Sequence, residues 1–264
     1  MALKTLRTLT LLLAVTSLQP SWAQEGLDKK GADQEDVEQE SFAQRADAVN
    51  QQTLSPQLSE QGWRLLGLDD VPATEFALTE HGIRIAANAS NALIYRELNN
   101  DDSVAEDWTQ ATLRWSWRVD QLPSSKTLRK VADDDRAIAV YIAFEIDQRN
   151  LSLWGRIRSS VVALFSGLPK GQILTYVWGK DDATDEWFPN PYIRRIGRMK
   201  VLRNASTPLG EWQQEEIDLI DDFTQAFGYP PIRPVYIALS ADTEDSAEHS
   251  LSWIRDIEFF NNSD

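Results

Sequence analysis

The sequence predicts an all-β protein, an antiparallel β-sandwich of jelly-roll type with two short helical insertions. Beyond residue 60, apolar and polar side chains alternate with a period of two, which is typical of strands that bury one face. Segments rich in Asn, Asp and Pro separate these stretches and indicate turns. About nine or ten such stretches, without a repeating period, favour two packed sheets over a repeat architecture.

The composition excludes several classes of function. The chain has 264 residues, with 26 Lys and Arg against 41 Asp and Glu, no Cys and 2 His. A formal net charge of −15 repels phosphate backbones, so we expect no nucleic-acid partner. The absence of cysteine excludes disulfides and thiolate chemistry, and two histidines exclude a three-histidine metal site.

The first 23 residues have the layout of a secretory signal peptide. Lys4 and Arg7 precede an apolar stretch from Leu9 to Leu18, and small residues before Gln24 indicate cleavage near Ala23. This stretch is shorter than the about 20 residues that a membrane span needs, so we expect no transmembrane segment in the mature chain. The sequence therefore predicts a periplasmic or secreted protein.

Residues 24–58 are expected to form an acidic flexible leader before a β-sandwich domain at 59–264. Gln, Glu, Asp and Ala dominate the leader up to Gln52, and Phe42 is its only aromatic residue there. Such a segment cannot bury enough apolar surface to offset its ordering entropy. The alternative interpretation is a tether for a protein partner, whose identity the sequence does not indicate.

The strands follow in chain order. The segment Gln110–Val119 places Leu113, Trp115 and Trp117 on one face, and Arg136–Asp147 is apolar on both faces, as in a central strand. The other predicted strands are Ile83–Ala87, Ala92–Glu97, Ile173–Trp178, Arg198–Leu202, Glu215–Ile220, Val235–Ala241 and Leu251–Phe260.

Two segments have helical spacing. Residues 151–168 form an amphipathic pattern, interpreted either as a cap on one end of the sandwich or as a lid or membrane-surface element. A second helix is predicted at Asp222–Phe227, with Asp221 or Asp222 as its N-cap and Gly228 at its end.

Four separated motifs carry a resemblance to a known family. They are Asp133-Asp134-Asp135-Arg136, Leu174–Gly179, Asp222–Gly228 with the following Pro230-Pro231, and Ser240–Asp245. In this order, over roughly Trp63 to Phe260, the sequence resembles the bacterial domain of unknown function 3047 family. The resemblance implies an exported bacterial protein of unestablished activity. Glu244-Asp245-Ser246 departs from the Asp-Thr-Asp-Asn-Thr pattern of that family, so it implies no role that needs those side chains.

Two acidic clusters are candidate ligand or metal sites. Asp133, Asp134 and Asp135 precede a central strand, whereas Asp242, Glu244 and Asp245 follow another strand. In an antiparallel sheet the two clusters are expected to meet at the same end, where Arg136 is available to pair with a carboxylate. No cofactor is predicted, apart from a Ca²⁺ ion on the candidates Asp133, Asp242 and Asp245, because carboxylates suit this ion. The alternative is that these side chains only hold the loop backbone.

Trp178 and Trp187 border a loop rich in Asp and Glu. Aromatic rings stack on the apolar faces of sugars while carboxylates accept their hydroxyl hydrogens, so these residues are candidate ligand contacts. The predicted ligand-binding set is Trp178, Trp187, Asp134, Asp135 and Asp242. The alternative is that Trp187 only anchors the loop.

Glu216-Ile-Asp-Leu-Ile-Asp221 is similar to the Glu-Ile-Asp-x-x-Glu strand of laminarinase-type retaining glycosidases. That resemblance implies Glu216 as nucleophile, Asp218 as its electrostatic partner and Asp221 as acid and base. Asp221 is shorter than the glutamate of that family, and an Asp before a helix is equally well explained as an N-cap.

The sequence therefore favours a non-catalytic, exported binder of carbohydrate or another small polar ligand in the cell envelope. The first alternative is a glycan-active hydrolase using Glu216, Asp218 and Asp221. The second is an envelope protein-interaction module.

Overall fold

The computed structural model describes residues 54–68, 70–98, 111–124, 127–131, 133–145, 171–180 and 183–261. The predicted signal peptide, most of the predicted acidic leader and the predicted helix at 151–168 lie outside the described residues. No helix among the described residues is long and apolar enough to cross a membrane.

Within these residues the chain forms mainly strands. The elements are α1 (Pro56–Glu60), β1 (Arg64–Gly67), β2 (Glu75–Thr79), β3 (Gly82–Asn88), β4 (Asn91–Glu97), β5 (Ala111–Gln121), β6 (Arg136–Phe144), β7 (Ile173–Trp178), β8 (Trp187–Pro189), β9 (Gly197–Arg203), β10 (Gln213–Asp218), α2 (Leu219–Phe227), β11 (Pro234–Asp242) and β12 (His249–Asn261).

The strands form two sheets, which confirms the predicted β-sandwich of jelly-roll type. The seven-stranded sheet has the order β1-β4-β11-β6-β7-β9-β8, and the five-stranded sheet has the order β10-β5-β12-β3-β2. Neighbouring strands are antiparallel, except that β7 and β9 are parallel. This exception arises because β8, antiparallel to β9, carries the chain back before β9 begins.

Aromatic residues fill the space between the sheets. The ring centroids of Trp115 and Trp117 on β5 lie 5.5 Å apart, and Trp117 lies 5.6 Å from Trp178 on β7. Trp115 also lies 5.7 Å from Tyr176 on β7. All four side chains are fully buried, and the Trp117–Trp178 and Trp115–Tyr176 contacts join the two sheets.

The core extends further toward the N-terminus than the composition indicated. Leu54 and Leu58 are buried members of the core cluster, although both were assigned to the acidic leader. A hydrogen bond from the Ser55 amide to the Phe76 carbonyl holds this segment beside β2. The folded domain therefore begins before residue 59, because two leucines supply the apolar surface that the rest of the predicted leader lacks.

The prediction for the second helix was wrong at its beginning and confirmed at its end. Strand β10 ends at Asp218, and this residue is the N-cap of α2 in place of Asp221 or Asp222. Its Oδ1 accepts hydrogen bonds from the amides of Ile220, at 3.0 Å, and Asp221, at 2.9 Å. Gly228 ends the helix in the left-handed conformation with a φ of 84°.

Candidate functional site

The site lies on the outer face of the seven-stranded sheet, which we define as the face turned away from the five-stranded sheet. Alternation places Ile94 and Leu239 in the core, so Leu93, Tyr95 and Ser240 are on the outer face. Arg136 begins β6, and the strand register places it opposite Asp242 at the end of β11. The two acidic clusters therefore meet at one end of this sheet, as expected from the sequence.

Arg136 is the centre of the cluster. Its Nη1 donates to Asp134 Oδ2 at 2.9 Å and also lies 3.4 Å from Asp242 Oδ2. Its Nη2 donates to the Tyr141 hydroxyl at 3.1 Å, and this hydroxyl is hydrogen-bonded to Ser240 Oγ at 3.0 Å. Arg136 is 7% exposed, and Asp134 and Asp242 are 0% and 1% exposed, so the cluster is almost fully removed from water.

Two half-buried side chains connect this cluster to the surface. The Tyr192 hydroxyl donates to Asp134 Oδ1 at 2.9 Å, and Asn91 Nδ2 donates to Asp242 Oδ2 at 2.8 Å. Tyr192 is positioned by the side chain of Asn190, whose Oδ1 accepts from the Tyr192 amide at 3.0 Å. The buried carboxylates therefore fix the orientation of Tyr192 and Asn91 at the surface.

Asp135 has a structural role in the neighbouring loop. Its Oδ1 accepts from the Asp245 amide at 3.2 Å, and its Oδ2 accepts from the Ser246 amide at 2.8 Å. The Ser246 hydroxyl donates to the same Oδ2. This arrangement matches the alternative interpretation that an aspartate in these clusters holds the loop backbone.

The cluster contains more carboxylates than guanidinium groups, and this excess contributes to the pKa values of its members. Burial raises the pKa of Asp242 to about 7, although Arg136 lowers it and Asp134 and Asp135 raise it further. Burial alone would lower the pKa of Arg136, but Tyr141, Asp242 and Asp134 raise it well above its usual value. One guanidinium thus stabilises several carboxylates, and Asp242 is the carboxylate that takes up a proton near neutral pH.

The pKa values at the surface of the cluster shift in the same direction. Burial raises the pKa of Tyr192, and the charge of Asp134 and its hydrogen bond to the phenol raise it further. Burial also raises the pKa of Glu244, with contributions from Asp245 and Asp135. Tyr192 therefore stays neutral and donates a hydrogen bond to Asp134 over the whole physiological pH range.

The cluster forms one wall of a cavity of about 180 Å³. Leu66, Leu93 and Met199 form an apolar wall. The remaining lining residues are Leu68, Asn91, Ala92, Asp134, Arg136, Tyr141, Asn190, Tyr192, Ser240, Asp242 and Glu244. The cavity combines an apolar surface with hydroxyl, amide and carboxyl groups, which is the usual composition of a small-molecule site.

No group of three or more His, Asp or Glu side chains within the described residues is arranged to hold a metal ion. The calcium candidates Asp133, Asp242 and Asp245 therefore do not form such a group. Arg136 supplies the positive charge beside Asp242 that a metal ion would supply. Asp134 and Asp242 are thus arranged around a guanidinium.

The structure corrects the prediction for Trp178. This side chain is 0% exposed and packs in the core between the sheets, so it is inaccessible to a ligand at the surface. Trp187 is half-buried, with its ring 5.8 Å from that of Tyr176 and 5.1 Å from Lys200 Nζ. It does not line the cavity, and its contacts match the alternative in which it anchors the loop.

The three carboxylates of the hydrolase alternative have separate partners. Glu216 forms an ion pair with Arg114 at 2.7 Å on the outer side of the five-stranded sheet. Asp218 caps α2, and Asp221 Oδ2 accepts from Gln225 Nε2 at 2.8 Å. Because each side chain is explained by a local contact, the structure does not support a catalytic group of Glu216, Asp218 and Asp221.

Several residues of the cavity were not found from the sequence. Pro189-Asn190-Pro191 is one of the segments rich in Asn and Pro that indicate turns, but it does not indicate the hydrogen bond of Tyr192 to Asp134. The sequence of β6 is apolar on both faces, so it indicates neither the face on which Tyr141 lies nor its partner. Asn91 and Asp242 are 151 positions apart, and only the strand register brings them together.

The sequence matches a protein family of unknown function. The profile of the family described as protein of unknown function (DUF3047) matches residues 61–258. No protein of curated function matches the sequence.

Among solved structures, the chain is similar to a family 11 xylanase from Neocallimastix patriciarum. The two share 11% identity and a TM-score of 0.38, over 76% of this chain and 92% of the xylanase. It is also similar to the family 30 carbohydrate-binding module of a cellulosomal cellulase of Clostridium thermocellum. Here the identity is 11% and the TM-score 0.36, over 76% of this chain and 87% of the module. At these values the likenesses support no statement about the activity of this chain.

Proposed function

We propose a function for this chain, which belongs to the DUF3047 family, from the cavity on its outer face. It is an exported, non-catalytic protein that binds a small carbohydrate or a similar polyhydroxylated ligand. The observation that carries the proposal is that Arg136, Asp134 and Asp242 form the wall of an open cavity although they are almost fully buried. Buried charges of this kind at a cavity mark functional sites more often than ordinary surfaces do.

The charge of the cavity selects the class of ligand. Asp134, Asp242 and Glu244 line the cavity together with a single cation, Arg136. An anionic ligand would face an excess of carboxylates in a poorly hydrated site. A neutral or cationic ligand avoids this repulsion.

The polar groups at the surface of the cavity are suited to hydroxyl groups. Asn91 and Glu244 are half-buried and offer amide and carboxyl oxygens, which accept hydroxyl hydrogens. The Tyr192 hydroxyl has a free acceptor position because it donates to Asp134. Leu66 and Leu93 offer an apolar wall to the carbon-bound hydrogens of a sugar ring. This combination supports a polyhydroxylated ligand over a purely apolar one.

The burial of the carboxylates favours binding over catalysis. Asp134 and Asp242 are 0% and 1% exposed and share one guanidinium. A substrate therefore does not reach the carboxylate oxygens of both residues, as a pair of catalytic carboxylates would require. Their role in the proposal is to position Tyr192 and Asn91, which do meet the ligand.

Tyr192→Phe tests the proposal most directly. The substitution removes the hydroxyl that donates to Asp134 and, in the proposal, accepts a hydrogen bond from the sugar. We expect the affinity for the bound sugar to fall about tenfold, which corresponds to the loss of one hydrogen bond to the ligand. A glycan array followed by isothermal titration calorimetry identifies and measures that ligand.

Tyr176→Phe is the matched control, because Tyr176 also donates to a buried aspartate, Asp222 at 3.0 Å, but lies outside the cavity. The control should bind as tightly as the parent protein. Equal affinities of the two variants, or the absence of any carbohydrate ligand, would refute the proposal.

Export is supported by the sequence of the first 23 residues. Expression of the full chain in a bacterium, followed by fractionation and mass spectrometry, tests it. We expect a periplasmic or secreted product whose first residue is Gln24. A full-length product in the cytoplasm would contradict the assignment.

A further inference from the structure

A second cavity of about 180 Å³ lies at the other end of β4. It is lined by Gln61, Gly62, Arg64, Tyr95, Arg96, Glu97 and Tyr236. Strand β4 supplies residues to both cavities, Asn91 and Leu93 to the first and Tyr95 to the second. All three have odd numbers on one strand, so they share the outer face.

The strand register joins the two cavities on this face. Leu66 lies opposite Leu93, and Arg64 lies opposite Tyr95, so β1 borders both cavities. On the other side of β4, Ala238 of β11 lies opposite Tyr95 and leaves little bulk beside the tyrosine ring. From Asn91 to Tyr95 the strand rises by about 13 Å, which a monosaccharide cannot span.

The second cavity offers an aromatic surface. The rings of Tyr95 and Tyr236 have centroids 6.1 Å apart and an interplanar angle of 44°. Both side chains are half-buried, so part of each ring remains open to a ligand. Aromatic rings of this kind can stack on the apolar face of a sugar. The first cavity has no tryptophan in its lining for such a contact.

The charges of the two cavities are opposite. Arg64 and Arg96 line the second cavity together with one carboxylate, Glu97. By the same alternation Arg96 lies toward the core side of β4, where its guanidinium is 5.6 Å from the centroid of the Trp63 ring. Arg64, opposite Tyr95, is therefore the guanidinium available to a ligand on the outer face. The first cavity has the reverse excess, with three carboxylates and one guanidinium.

We propose that the two cavities are subsites for one ligand, a short oligosaccharide whose unit at the Tyr95–Tyr236 end carries a carboxylate. This inference rests on the proposed function, because it assumes a sugar in the first cavity. It specifies the length of the ligand and the direction in which it binds. A neutral unit lies beside Asp242 and Tyr192, and an acidic unit lies beside Arg64.

The experiment uses neutral oligosaccharides of one to six units and matched members that end in a uronic acid. Each is first bound on an array and then titrated by calorimetry against the full mature chain. We expect affinity to rise with length, and the acid-terminated oligosaccharide to bind about tenfold more tightly than its neutral counterpart.

Two variants assign this gain. Arg64→Ala should abolish the preference for the acid-terminated oligosaccharide and leave the binding of the monosaccharide unchanged. Arg84→Ala is the control, because Arg84 pairs with Glu75 on the five-stranded sheet and should not affect either measurement. Thermal melting of both variants verifies that they are folded.

The outcomes separate this inference from the proposed function. If a monosaccharide binds in a Tyr192-dependent manner but neither length nor the carboxylate increases affinity, the inference is overturned and the proposed function stands. If acidic oligosaccharides depend on Arg64 but not on Tyr192, the proposed function fails, and with it the joining of the cavities. Absence of binding by every probe overturns both.

Discussion

The pKa of Asp242 leads to a prediction about stability that can be worked out from the structure. Burial raises this pKa from 3.8 to about 7 in the folded protein. Between these two pH values the unfolded chain loses a proton that the folded protein keeps. The contribution of Asp242 to stability is therefore fully present below pH 3.8 and is lost as the pH rises through 7.

The magnitude follows from linkage. Between pH 5 and pH 8 the difference in proton binding destabilises the folded protein by about 3 kcal/mol. Asp242→Asn removes the titration while keeping an oxygen that accepts from Asn91. The variant should therefore gain stability relative to the parent protein by the same amount over this pH range.

Urea unfolding at pH 5, 6, 7 and 8, followed by the fluorescence of the buried tryptophans, measures this gain. Glu244 and Asp245 are present in both proteins, so comparison of the two removes most of their contribution. Asp120→Asn is the control, because it deletes one negative charge beside Arg118 on the five-stranded sheet. A difference between variant and parent that stays constant from pH 5 to pH 8 would refute the assignment of this titration to Asp242.

Three further predictions concern the fold. Asp218→Ala should lower the free energy of unfolding by about 1 kcal/mol through loss of the α2 cap, whereas Glu216→Gln, which loses an exposed ion pair, should change it by less than about 0.5 kcal/mol; equal losses in urea unfolding would contradict the capping role. Trp178→Ala should lower the free energy of unfolding by about 3–5 kcal/mol in the same assay. At temperatures where this variant is folded its ligand affinity should equal that of the parent protein, and a selective loss of binding would place Trp178 in the site. Gly228→Ala should cost about 1 kcal/mol because its φ is 84°, although a Cβ there meets no atom within 4 Å; a stabilised variant would argue against the left-handed cap.

Alternation predicted the long strands because half-buried strands repeat every two residues. It worked for β5, where Trp115 and Trp117 face the core, and could not orient β7, where Ile173–Trp178 are all buried. A strand buried on both faces shows no alternation of polar and apolar residues that would mark the surface. Trp178 was therefore mistaken for an accessible side chain.

Local capping patterns were less informative for α2. Asp221 and Asp222 suit an N-cap as well as Asp218 does, so residue type alone does not select where the helix begins. The pairing of β10 with β5 continues to Asp218, opposite Thr112, and the helix begins immediately after it. Tertiary pairing thus selects among caps that are locally equivalent.

The acidic half of the site was predictable, because charged residues at the ends of two antiparallel strands gather at one edge. The half that we propose contacts the ligand was not predictable, since Tyr192 and Asn91 are brought to the cluster by a loop and by a strand register that no local pattern encodes. The same limit applies to Arg64 and Tyr95, which are neighbours only after β1 pairs with β4.

The stability of the fold does not require the buried cluster of Arg136, Asp134 and Asp242. The core between the sheets is built from apolar and aromatic side chains, whereas Arg136, Asp134 and Asp242 lie on the other side of the seven-stranded sheet. Replacing buried ion pairs by apolar residues is often neutral or stabilising, so such a cluster is weak evidence of a stabilising role. Here one cation serves several carboxylates, and Asp242 carries a raised pKa as a result of burial and of that imbalance. An arrangement that weakens the fold near neutral pH while holding Tyr192 at the cavity surface is consistent with binding as its role.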